Sequence, residues 1–136
     1  MKLERHVGGL SLARKVNYLR ARGWREDTGG WSNERFRPVS IQRAIHHQLT
    51  DDLSRALCGL GWQVVGYSPR GYVQLRDGER GAPCSLPKAL RIQARRERRP
   101  VAELTYVLFL AALLEVEGGA PDSTEGRPTR AEEEDP

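Results

Sequence analysis

An α+β fold is what this sequence predicts, built as two degenerate helix-hairpin-helix repeats that form one small antiparallel sheet packed by helices. Three observations carry that expectation. Leu19, Gly23 and Trp24 recur 38 residues later as Leu57, Gly61 and Trp62. Ser40, Ile41, Ala44, Ile45 and Gln48 recur with the same internal spacing as Ser85, Leu86, Ala89, Leu90 and Gln93, after a connection seven residues longer. Between these anchors lie aromatic, turn-rich stretches in which Tyr72 is the counterpart of Trp31. A unit that occurs twice decides an architecture before any single motif does.

Taken in order, Leu12, Val16 and Leu19 form a helical stripe after Ser11, and Gly23 is placed to stop that helix. The stretch Arg25 to Arg37 is poorer in β-formers, and its hairpin is expected by analogy with the second copy. Ile41, Ile45, Leu49, Leu53, Leu57 and Leu60 make the next stripe, with a break and recapping at Thr50 and an end at Gly59 and Gly61. Capping also accounts for Asp51 and Asp52. Trp62 to Tyr67 and Tyr72 to Arg76 read as strands around the turn residues Ser68, Pro69, Arg70 and Gly71. Ser85, followed by Leu86 and Pro87, opens a helix, since serine caps free amides and proline is tolerated in the first turn. Two-stranded hairpins are marginal alone, so pairing of the two hairpins into one sheet is expected.

Residues 1–117 thus read as one domain, with copies over roughly 11–49 and 50–99 and a final helix over 101–117. Leu104 to Val116 is apolar on every side, which suits a helix buried all round or one shared with a protein partner or a second copy. Residues 118–136, rich in Gly, Pro, Ser, Thr and acids, read as a disordered acidic tail. The longest apolar run, Val107 to Leu114, is far short of the roughly 20 residues of a membrane span. No signal-peptide pattern opens the chain. Cys58 and Cys84 lack metal or redox spacing, with Cys58 expected to be buried on its helix. The expectation is a soluble cytoplasmic protein with reduced cysteines.

The formal charge is +4 over 136 residues, but without the acidic tail 20 basic and 12 acidic residues remain. Nearly all the cations are arginine, which reflects either phosphate recognition or GC-rich coding. At 100° per residue, the helix from Leu86 places Leu86, Ala89, Leu90 and Gln93 on one side and Lys88, Arg91, Arg95, Arg98 and Arg99 on the other. Such a stripe either tracks a phosphate backbone or is a merely solvated face. Arg70 and Arg76 of the second hairpin are expected to assist it. Arg43, His46 and His47 hold the corresponding positions in the first copy. Tyr67 and Tyr72 are candidates for exposed stacking on bases, whereas the tryptophans are expected in the core. Gln48 and Gln93 fall within apolar faces and are expected to bond to the hairpin backbone, because a buried amide must be satisfied.

No zinc-ligand cluster, nucleophile-base pair, carboxylate pair in a cleft or phosphate-cradling glycine loop stands out. No cofactor, no metal and no enzymatic activity are therefore expected. The sequence points to a small basic bacterial or phage regulator that binds nucleic acid. The alternative is a protein-interaction module docking on a larger machine such as the transcription apparatus.

Overall fold

The computed structural model describes residues 9–118; the expected tail lies outside the described residues apart from Gly118. The fold is mixed α+β, with four helices and two small antiparallel sheets among the described residues. In chain order these are α1 (Leu12–Ala21), β1 (Arg25–Asp27), β2 (Gly30–Ser32), α2 (Ile41–Cys58), β3 (Trp62–Tyr67), β4 (Val73–Asp77), β5 (Cys84–Ser85), α3 (Leu86–Arg96) and α4 (Val101–Gly118). The hairpins do not join into one sheet: β1 pairs only with β2, and β3, β4 and β5 form a separate three-stranded sheet. Each hairpin takes its third partner from its own downstream segment instead. Trp31 bridges Val39 just before α2, and Leu75 pairs with Cys84 just before α3. That pairing makes Leu75, fully buried, the positional match for the buried Trp31, and not Tyr72, which is 63% exposed.

Serine starts three of the helices. The side chains of Ser11, Ser40 and Ser85 accept from the amides of Arg14, Arg43 and Lys88, three residues on, satisfying donors that the helix cannot. α2 runs unbroken through Thr50, whose hydroxyl donates to the His46 carbonyl within the helix. Cys58, at the end of that helix, is exposed and not buried.

Gly23 ends α1 with φ of 92°, while the amide of Trp24 donates to the Leu19 carbonyl and that of Gly23 to the Arg20 carbonyl. This Schellman geometry needs a left-handed residue, which glycine supplies without a Cβ clash. α3 ends in the same way, with Arg99 N–H donating to Ala94 and Arg98 N–H to Arg95, but the left-handed position is Arg98, with φ of 56°. A β-carbon there costs about 1 kcal/mol. Arg98→Gly should therefore raise stability by about 0.5–1 kcal/mol, read as a higher urea midpoint at unchanged m-value. A lower midpoint would contradict this account of the helix end.

Two core clusters flank α2. Tyr18, Leu19, Trp24, Trp31, Ala44, Ile45 and Leu49 fill the first, and Leu53, Leu57, Trp62, Val73, Leu75, Leu86, Ala89 and Leu90 fill the second. α4 straps both, giving Leu104 to the second and Phe109 and Leu113 to the first. It is not buried all round: its buried residues are Leu104, Thr105, Phe109 and Leu113, while Val107 and Leu114 are exposed.

The glutamines of the two apolar faces are buried, but their partners are side chains and not hairpin backbone. Trp24 Nε1–H donates to Gln48 Oε1 at 2.8 Å, and Trp62 Nε1–H to Gln93 Oε1 at 2.9 Å. Each amide then donates to a carboxylate one turn on, Gln48 to Asp52 at 3.2 Å and Gln93 to Glu97 at 2.8 Å. A buried indole N–H needs an acceptor, and the amide passes that need on to a charge.

Asp52 is the hub of the first of these chains and does not cap a helix. Its side chain is 1% exposed, and Tyr18 hydroxyl, Arg22 Nε, Gln48 Nε2 and Arg55 surround its two oxygens, the last three at 3.2 Å each. Burial, reinforced by the Asp52 charge, pushes the Tyr18 phenol far above its ordinary range, so it serves as a permanent donor. Arg22 also reaches Glu115 at 2.6 Å, tying α1 to α4.

Candidate nucleic-acid interface

α3 is held on the sheet by Leu86, Ala89, Leu90, Gln93 and Ala94, all buried. Side chains alternate across β4, so Val73 and Leu75 point to the core. Asp77, two residues on along the same face, meets Arg96 from the last turn of α3. The guanidinium of Arg96 also lies 5.6 Å from the Trp62 ring centroid. With its inner side fixed by the sheet and its end by Arg96, the helix turns Lys88, Arg91 and Arg95 outward, and all three are exposed.

The structure separates the expected site residues from one another. Lys88, Arg91 and Arg95 form a continuous row at i, i+3 and i+7, covering about 10 Å of helix axis. Arg98 is exposed but lies beyond the helix, in its left-handed turn, so it extends the row without belonging to the helical face. Arg99 is half-buried and drawn back to Glu97 at 3.2 Å and Glu103 at 3.8 Å, which removes it from the face. Of the hairpin arginines, Arg70 is exposed at the turn. Arg76 is half-buried and spans to Gln63 Oε1 at 2.9 Å and to the Gly78 carbonyl at 3.2 Å. It alternates with Leu75 and so points away from the side that α3 covers. The helix face and Arg76 are therefore not one surface.

Among the described residues, no hydrogen bond or ion pair engages the side chains of Lys88, Arg91, Arg95 or Arg98. Many other arginines are tied down: Arg14 to Glu117, Arg22 and Arg55 to Asp52, Arg35 to Asp51, and Arg96 to Asp77. Arg25, Arg37, Arg43 and Arg80 are also exposed, but they sit singly on different segments. On α3 the cations are neighbours, and like charges at these spacings cost about 0.2–0.5 kcal/mol per pair. Their field reaches inward: burial pushes the Cys84 thiol up, while Lys88 and Arg91 pull it down.

In the first half, Arg43 and His46 are exposed where Lys88 and Arg91 stand in the second. His47 is half-buried and stacks on Phe36 with centroids 4.0 Å apart, and Phe36 in turn stacks on Trp24 at 5.7 Å. Burial, then the charges of His46, Arg43 and Arg35, lower the His47 pKa from 6.5. It is thus an uncharged packing residue at neutral pH. Tyr67 and Tyr72 are exposed and the three tryptophans buried, but the Tyr67 ring already carries the Arg35 guanidinium 4.6 Å from its centroid.

A concavity of about 250 Å³ lies between α2 and α4, with Leu108, Ala111 and Ala112 on one side. Its charged residues, Arg22, Asp52, Arg55 and Glu115, are paired with one another. Among the described residues, no group of three or more His, Cys, Asp or Glu is placed to hold a metal ion, and no helix is long and apolar enough to cross a membrane. Comparison with protein-family models, with curated proteins and with solved structures finds no match to this chain.

Proposed function

We propose that this protein is a non-enzymatic, nucleic-acid-associated regulator that grips phosphates through Lys88, Arg91 and Arg95 of α3, continued by Arg98. The observation that carries this reading is the row of unpaired cations on one rigid helix, in a protein that otherwise pairs many of its arginines with acids. Over the 10 Å of that row a duplex axis carries roughly six phosphate charges, enough to engage every cation in it. Arginine adds a planar fork that can donate two parallel hydrogen bonds to a phosphate. Arg70, exposed at the hairpin turn, is an auxiliary contact; Arg76 and Arg99 serve the fold.

The recurring residues are best explained as two copies of one unit, the finer description of this α+β fold. Supporting it are the paired Trp-Gln-carboxylate chains, the matched serine caps and the strand pairing that precedes each capped helix. On this reading, one copy kept a charged outer face on its second helix, and the other kept only Arg43 and His46 there.

Recovery of the protein from the cells that make it, with and without nuclease treatment, tests the function. Nucleic acid should accompany the untreated protein and be lost on digestion, whereas partners that survive digestion unchanged would favour a protein-docking module.

A further inference from the structure

We propose that α4 pairs antiparallel with the α4 of a second copy, forming a two-fold symmetric dimer through Val107, Leu110, Ala111 and Leu114. Opposite the buried residues Phe109 and Leu113, these four side chains fall within about 100° of one another around the helix. Val107 is 43% and Leu114 54% exposed. Val107, Leu110 and Leu114 follow the alternating three- and four-residue spacing of a helix-helix seam. α4 carries no lysine or arginine, so no long basic side chain covers the strip from within the helix. A contiguous aliphatic strip on so small a protein marks an association surface.

Charge identifies the occupant as a second copy and fixes its direction. The start of α4 follows the basic stretch Arg95, Arg96, Arg98 and Arg99. At its far end Glu115 and Glu117 are held by Arg22 and Arg14 of the same copy, and the sequence after Gly118 adds six acids and only two arginines, so the excess acid lies beyond the helix. The 18-residue helix separates these ends by about 27 Å. Antiparallel pairing sets the acidic end of one copy towards the basic start of α4 in the other, whereas parallel pairing sets like beside like. With the two-fold axis at Leu110 and Ala111, Val107 of each copy faces Leu114 of the other, as a self-complementary interface requires. The concavity of about 250 Å³ borders this strip through Ala111 and has room for an apolar side chain from the second copy.

Sedimentation equilibrium of the full chain tests the pairing. At up to about 100 µM, the wild type should reach twice the 15.3 kDa of one chain. Val107→Glu and Leu114→Glu should each give the single-chain mass with unchanged helical circular dichroism. Direction is read in a Cys58→Ser, Cys84→Ser background under mild oxidation: Ala111→Cys should crosslink to its own counterpart, and Glu103→Cys should not. A wild type that stays at single-chain mass, or a dimer indifferent to both glutamates, would overturn the proposal. Equal crosslinking through Glu103→Cys would overturn the antiparallel arrangement.

Discussion

Asp52→Ala should be among the most damaging single substitutions in the chain, costing about 3–5 kcal/mol. The expectation rests on what stays behind when the carboxylate is removed. Tyr18 hydroxyl, Arg22 and Gln48 would keep donors aimed at an empty site, and the buried Tyr18 and Gln48 would lose the acceptor that satisfies them. The damage would spread, because Arg22 also bonds Glu115 on α4, and Gln48 holds the indole of Trp24. Asp51→Ala, one residue earlier, removes only an exposed pair with Arg35 and should cost no more than about 1 kcal/mol. Glu97→Ala falls between the two, since its amide partner Gln93 is buried but the site is half-open. Urea titrations of the three variants give the ranking. An Asp52→Ala midpoint no lower than that of Asp51→Ala would remove the hub from the account.

The helices, their serine caps and the second hairpin were legible in the sequence, since each rests on local chemistry such as a capping hydroxyl, a glycine that tolerates positive φ, or an apolar stripe. Sheet assembly was not, because pairing between distant strands leaves no local mark. The short stretches before Ser40 and Ser85 supply the outer partners that the hairpins were expected to find in each other. The Trp-Gln contacts were half legible. Burial of both amides followed from helical periodicity, but their partner did not. A signal for Asp52 did exist: an acid stands four residues after the glutamine in both halves, at Asp52 and at Glu97. Reading Asp52 with its neighbour Asp51 as capping residues concealed it. The basic face was legible as far as Arg95. Beyond it the helical wheel failed, because α3 ends at Arg96 and the chain turns left-handed at Arg98.

Arg91→Glu combined with Arg95→Glu should weaken nucleic-acid binding by at least about two orders of magnitude while leaving folding intact. Each phosphate contact contributes roughly one unit to the salt slope of binding, and the two charge reversals remove two contacts and add two repulsions. Both positions are exposed and without partners in the fold, so no internal bond breaks. The exchange also ends the repulsion between Lys88 and Arg91, which cost about 0.2–0.5 kcal/mol. A glutamate at position 95 opposes the dipole in the last turn of α3, which offsets that gain, so the double variant should melt near the wild-type temperature. Arg76→Glu provides the contrast, since it breaks bonds to Gln63 and Gly78 and should lower stability more than affinity. Equal affinity in the double variant and the wild type would take α3 out of the account.

The dependence of binding on salt bears most directly on the claim that four unpaired cations grip phosphates. For wild-type protein with a labelled duplex, followed by fluorescence anisotropy, the logarithm of the association constant should fall against the logarithm of salt with a slope of about −3.6, or about −2.8 on a single strand. No detectable binding at low salt, or a slope near zero, would contradict it.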